Sequence, residues 1–255
     1  MYLTTKGLVL RETNYSDSSK ILTVLTDSEG KITVSAKGAR RKGSKIAAAS
    51  QFLAYSELTL AKSRDRWYLN EGNTLELFRG LRNDIQRFSA GAYFAELLEA
   101  AADEDMPNTD ILRLGLNSLY TLSEGKKDIG LLKAIFELRL MCLSGYEPAL
   151  FACAICGEPE PERAALDCAG GIISCAKCAS GNDGKVIKLC TASLAAMRYI
   201  VSVEDAKLFS FTLKNAPLKR LTMAAEAFVE TQLEKQFRTL DFYKNCTDFI
   251  ISGET

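Results

Sequence analysis

The sequence predicts an α+β protein of more than one domain: a small β-barrel at the N-terminus, followed by a helical bundle that a cysteine-rich module interrupts. Three observations lead there. Apolar residues alternate with period two over the first eighty residues, the period changes to about 3.6 from Leu81, and periodicity is lost between roughly Phe151 and Leu189.

The predicted strands are Gly7-Leu8-Val9-Leu10, Lys20 to Leu25, Lys31 to Ser35, Ser56 to Leu60, and Trp67-Tyr68-Leu69 leading on to Thr74–Phe78. Asp27-Ser28-Glu29-Gly30 reads as a hairpin turn between the second and third. Five short strands with one long polar loop suit a partly open barrel of the OB type, and an SH3-like barrel fits nearly as well.

In the second part, helical spacing relates Phe94, Leu97, Leu98 and Ala101, then Leu112, Leu116, Leu119 and Tyr120, then Leu131, Ile135, Leu138 and Cys142. Pro107-Asn108-Thr109-Asp110 offers helix-start residues, and Gly145 with Pro148 closes the third helix. Beyond Cys190, Thr191 could cap a helix carrying Leu194, Met197 and Val201. Pro217 then opens a long one running through Leu221, Ala225, Phe228, Leu233 and Leu240. The expected domains are residues 1–80 and 81–255, with an insert at 150–190.

Composition bounds the chemistry. The 255 residues carry 32 basic and 32 acidic side chains, 47% are hydrophobic, and there is no histidine. Ser-His-Asp and Cys-His nucleophile systems, and the imidazole base, are therefore excluded. No glycine-rich phosphate loop or nucleophile elbow is present, and the carboxylate groupings Glu12 with Asp17 and Asp103-Glu104-Asp105 read as turn and surface residues. A non-catalytic protein is expected. The first residues run into an apolar stretch of only a few residues, and no apolar run reaches the ~18 residues of a membrane span, so the expectation is a cytoplasmic protein without a signal peptide or membrane contact. Neutrality conceals a division: residues 1–80 hold 13 Lys/Arg against 8 Asp/Glu, and the remainder holds 19 against 24.

Eight cysteines in a reducing compartment are not expected to form a disulfide framework. Cys153-Ala-Ile-Cys156, then eighteen residues, then Cys175-Ala-Lys-Cys178 are two Cys-x-x-Cys hooks at a spacing that can gather four thiolates around one structural Zn²⁺ per chain. Four protein ligands leave no open position for catalysis. Gly157, Gly181 and the Gly170-Gly171 pair suit the turns of such a module. Two redox pairs, or merely buried cysteine pairs, are the alternative, although the βαβ setting of a thioredoxin-type site is missing. Cys168 and Cys190 are reserve ligands, while Cys142 and Cys246 read as small hydrophobes.

The second signal is Lys37-Gly-Ala-Arg40-Arg41-Lys42-Gly-Ser-Lys45, five cations in nine residues after a barrel strand. A pliant, cationic loop can follow a phosphate backbone without reading base sequence. Lys62, Arg64 and Arg66 form another basic group beside Trp67 and Tyr68. With Tyr55, these aromatics could stack on bases, or, as is usual for a tryptophan in a small barrel, Trp67 fills the core.

Taken in order, these pieces resemble the RecO family of bacterial recombination mediators, which act in DNA repair. The resemblance runs from Lys6-Gly-Leu-Val-Leu10, Tyr15-Ser-Asp-Ser-Ser-Lys20-Ile-Leu and Gly30 to Ala36-Lys-Gly-Ala-Arg40-Arg41. It continues through Tyr93-Phe-Ala-Glu96-Leu97, Phe136-Glu-Leu-Arg-Leu140 and Gly145-Tyr-Glu-Pro148 to the two cysteine hooks, covering nearly the whole chain. It implies an OB-fold, a helical domain with a zinc site, and a DNA-contact role for Lys37, Arg40 and Arg41, to which charge adds Lys42 and Lys45. It also implies binding of single- and double-stranded DNA, strand annealing, association with RecR, and loading of RecA onto strands coated by single-strand DNA-binding protein. A nucleoid-associated location follows. Asp17 stands where many relatives have glutamate. Where some relatives dock the acidic tail of single-strand DNA-binding protein, this chain reads Lys133-Ala134-Ile135, leaving Lys133 and Arg139 as candidates. The competing reading is a zinc-stabilised scaffold whose barrel binds protein or RNA in a translation or transcription complex. A nuclease or zinc hydrolase would need an open metal position.

Overall fold

The computed structural model describes residues 2–179 and 185–253, with side chains as far as residue 247. It divides into two compact units, Met1–Gly125 with Thr239–Thr255, and Lys126–Arg238. Gly181, expected to shape the second cysteine knuckle, lies outside the described residues.

The first unit begins with β1 (Tyr2–Asn14), β2 (Lys20–Thr26), β3 (Lys31–Ala36), β4 (Tyr55–Ser63) and β5 (Arg66–Glu76). They close into a barrel in the order β1-β2-β3-β5-β4, with β4 returning to β1 and with β3 parallel to β5. That closed order settles the barrel as OB-like. Alternation explains its interior: Val9, Leu22, Val24, Ile32, Val34, Leu58, Leu60 and Leu69 point inward and are almost fully buried. At the Asp27–Gly30 turn, Thr26 N–H donates to the Gly30 carbonyl at 2.8 Å. Gly30 takes φ 65°, and a Cβ there would lie 2.3 Å from the Met106 carbonyl oxygen, so both backbone hand and space require glycine.

Residues 37–54, between β3 and β4, are a succession of turns rather than a pliant loop. Arg41 N–H donates to the Gly38 carbonyl and Ser44 N–H to that of Arg41, both at 3.1 Å. Ala39, Ile46 and Ala49 join the barrel core, and Ala49 approaches so closely that a Cβ on Gly72 of β5 would lie 2.5 Å from its own. The apolar members of this segment plug the barrel, which leaves its cations outside.

Helices α1 (Ile85–Ala101) and α2 (Thr109–Glu124) complete this unit, with α6 (Arg238–Gly253) from Thr239 on. The side chain of Asn108 accepts from Ile111 N–H at 3.1 Å and caps α2 as its sequence signal predicts. The buried face of α2 runs through Ile111, Leu112, Gly115, Leu119 and Leu122. Tyr120 is exposed, one position off the expected stripe.

In the second unit, α3 (Ile129–Leu143) is buried on nearly every side and packs against α4 (Thr191–Ser202) and α5 (Asn215–Gln232). Cys190, not Thr191, is the N-cap of α4. The expected long helix from Pro217 through Leu240 is two: α5 ends at Gln232, Glu234 turns the chain with φ 48°, and Leu240 lies on α6. The non-periodic insert is a small sheet of β6 (Ala149–Cys153), β7 (Ala164–Asp167), β8 (Ile172–Cys175) and β9 (Val186–Leu189), in the order β6-β8-β7-β9. No helix among the described residues is long and apolar enough to cross a membrane.

Candidate nucleic-acid interface and metal centre

The barrel brings together basic residues that are remote in sequence. Val34 pairs with Trp67 and Ser35 with Tyr68, so the end of β3, where Lys37 leaves the barrel, runs beside the start of β5. Lys37 Nζ lies 4.6 Å from the centre of the Tyr68 ring, and Lys62 Nζ lies 4.9 Å from that of Trp67. In the β4–β5 hairpin, Lys62 faces Trp67 and Ser63 faces Arg66, while Arg64 turns the chain at φ 53°. Lys37, Arg40, Arg41, Lys42, Lys45, Lys62, Arg64 and Arg66 are all exposed. A cationic surface of this kind attracts polyanions locally although the whole chain is neutral.

The turns fix part of this surface. Arg40 donates from its guanidinium to the Ser16 carbonyl at 2.9 Å and from its backbone N–H to that of Ser18 at 3.1 Å. Gly38 N–H reaches Ser19 Oγ at 3.4 Å. The cationic segment is thereby tied to the β1–β2 turn, and between them opens a groove of about 280 Å³ lined by Tyr15, Ser16, Ser19, Ser35, Lys37 and Arg41, among others. In the sequence this turn stands out only as the stretch Tyr15-Ser-Asp-Ser-Ser-Lys20 of the family resemblance and as the turn beside Glu12 and Asp17, with no binding role attached. Its signal was an aromatic residue within the turn-forming run Asn14-Tyr-Ser-Asp-Ser-Ser.

The aromatic alternatives are resolved unequally. Trp67 is 5% exposed and belongs to the barrel core, so it fills the barrel. Tyr68 and Tyr55 are half-buried, and burial, then Asp27, pushes the Tyr55 hydroxyl up. Tyr15, by contrast, is 74% exposed.

The cysteine cluster that could hold a metal is built by the small sheet. Cys153 ends β6 and Cys175 ends β8, and each begins a turn that returns the second cysteine of its hook. Gly157 N–H donates to the Cys153 carbonyl at 2.9 Å, with Gly157 at φ 73°, and Cys178 N–H donates to that of Cys175 at 3.0 Å. Opposite, Asp167 Oδ1 accepts from Ala169 and Gly170 N–H, and Gly171 turns the β7–β8 hairpin at φ 62°. Arg198 of α4 clamps the sheet by donating to the Leu150 and Pro161 carbonyls at 2.8 and 3.1 Å.

The Sγ atoms of Cys153, Cys156, Cys175 and Cys178 all lie within 4.8 Å of one another, and Cys156 and Cys175 are 3.8 Å apart. A tetrahedron with metal–sulfur bonds of ~2.3 Å has edges of ~3.8 Å, so the donor set fits a metal ion. Backbone N–H groups of Cys156 and Cys175 lower the Cys153 thiol to about 6, while neighbouring Cys156 and Cys175 raise Cys178 to about 12. Four sulfurs so close oppose simultaneous ionisation until a cation joins them. Cys168 and Cys190 lie outside this quartet: Cys168 is buried, with its thiol pushed up to about 11 by burial, and Cys190 caps α4.

The tail-docking candidates are engaged internally. Lys133 is 3% exposed, with Nζ 2.8 Å from Glu137 and 3.1 Å from Glu226. Arg139 donates to the Val201 and Val203 carbonyls and lies 3.9 Å from Asp205.

Comparison with known proteins gives one answer along the chain. The family described as Recombination protein O N terminal matches residues 1–78, and Recombination protein O C terminal matches residues 82–241. A protein of Acetivibrio thermocellus named DNA repair protein RecO is 33% identical over 95% of this chain and 96% of its own length. Proteins of the same name from Caldicellulosiruptor bescii and Caldicellulosiruptor saccharolyticus are 32% and 29% identical, over 94% and 95% of this chain and 97% and 98% of their own.

Proposed function

The chain belongs to the RecO family of DNA repair proteins, and on that premise we propose that its barrel is a sequence-independent DNA grip that anneals complementary strands. The observation that carries this reading is the exposure of all eight candidate cations around the ends of β3 and β4 and the start of β5, while the apolar residues between them plug the core. Lys37, Arg40, Arg41, Lys42 and Lys45 contact phosphates, with Lys62, Arg64 and Arg66 extending the surface across the β4–β5 hairpin. Two strands repel each other through their phosphates, and cations held between them screen that repulsion and release condensed counterions. No bond is made or broken in this reading. The protein works by binding and exchange on single- and double-stranded DNA.

Within the same proposal, the cysteine quartet holds one structural Zn²⁺, which fixes the small sheet against α4 and α5. The protein acts with RecR, meets the tail of single-strand DNA-binding protein, and helps load RecA onto coated strands. Because Lys133 faces two carboxylates, tail docking falls to side chains other than its ammonium. The test is annealing of two complementary oligonucleotides by wild type and by the Arg40→Ala, Arg41→Ala variant. Wild type should accelerate annealing and the variant should lose most of that acceleration. A protein that leaves the uncatalysed rate unchanged is a scaffold for protein or RNA instead.

A further inference from the structure

We propose that the groove between the β1–β2 turn and the cationic segment is a subsite for an unpaired nucleotide, with Tyr15 stacking on its base. This rests on the DNA grip proposed above and deepens it, because it gives the same surface a preference for single strands. Tyr15 is 74% exposed, so its ring is open to a ligand although a defined turn holds its backbone. Its backbone N–H donates to the Ser19 carbonyl at 3.1 Å, and Arg40 grips the next carbonyl, that of Ser16, at 2.9 Å. The ring is therefore carried by a turn fastened at both ends.

Beside it, the groove offers what a nucleotide needs and little that it avoids. Lys37 and Arg41 supply positive charge, and the seryl hydroxyls supply donors to phosphate oxygens. Gly38 turns the chain between these two cations at φ 74°, a backbone conformation that favours glycine. None of the residues lining the groove is acidic, and Asp17, the carboxylate of the turn, is exposed and outside the lining. The other aromatic residues near the cationic surface are less available: Trp67 fills the core, and the Tyr68 ring is covered by the Lys37 ammonium. Paired bases in a duplex keep their faces stacked within the helix, so only an unpaired base can use Tyr15.

The test compares three probes with the full chain: a thymidine oligonucleotide, an abasic oligonucleotide of equal length, and a blunt duplex. Wild type should prefer the thymidine strand over the abasic strand, which has the phosphates without bases. Tyr15→Ala should weaken thymidine binding by about 5- to 150-fold, the range of one aromatic stack, leave the abasic strand and duplex unchanged, and erase the preference. Tyr15→Phe should restore it, because stacking needs the ring and not the hydroxyl. If Tyr15→Ala binds the thymidine strand as wild type does while Arg40→Ala, Arg41→Ala loses all three probes, the subsite is wrong and the grip stands. If the arginine variant keeps all three, both readings fall.

Discussion

Lys133 shows how one side chain can be structural where its charge suggests a docking role. Burial pulls its pKa down, but the carboxylates of Glu137 and Glu226 oppose this with charge and hydrogen bonds, and the net shift is upward. A lysine whose folded pKa exceeds its unfolded value adds stability that is complete below the ordinary lysine range, ~10.4, and is lost as pH rises through the folded value. Removing the ammonium strands Glu137, which is 0% exposed, beside no compensating lysine. Lys133→Met should therefore cost about 3–5 kcal/mol in denaturant unfolding at neutral pH, and Glu137→Gln in the same chain should recover part of the loss. Wild type should lose stability on alkaline titration more steeply than that double variant. A single variant as stable as wild type would show that the ion pair does not hold this helix.

At the scale of elements, the cysteine module gives the clearest expectation. Four thiolates binding one ion should yield about one Zn²⁺ per purified chain, and chelation should expose four of the eight thiols to a colorimetric reagent. Cys156→Ser should lower the metal content and destabilise the β6–β9 sheet. Full metal retention in that variant would call for a different ligand set.

The hooks were legible because the two ligands of each are local, three residues apart, and the geometry of a tetrahedral site constrains their spacing. The strands that position them were not, because four-residue strands such as Ala164–Asp167 carry too few residues to show a period. The boundary between α5 and α6 escaped for the opposite reason. Apolar spacing runs on through Leu233 and Leu240, and the turn is made by Glu234 in the left-handed region, where neither glycine nor proline announces it. The barrel strands and the exposure of the cationic residues followed from alternation and charge. The turn-rich plug did not, because the burial of Ala39, Ile46 and Ala49 depends on tertiary packing across the barrel.

For the whole molecule, the decisive property is a charge balance that averages to zero while residues 1–80 carry the cationic excess. Net charge alone predicts weak attraction to DNA, whereas a localised patch predicts binding that falls steeply with ionic strength. The family assignment supplies the setting, DNA repair, and the exposed cations of the barrel are the physical means proposed for it. The measurement that tests this most directly is the DNA dissociation constant across a salt series, for wild type and for Arg40→Ala, Arg41→Ala. A steep logarithmic slope is predicted for wild type and, in the variant, weaker binding on every sequence with the slope flattened by about 0.7 to 0.9 for each phosphate that is no longer neutralised. An unchanged slope and affinity would take these arginines out of the interface and contradict the central claim.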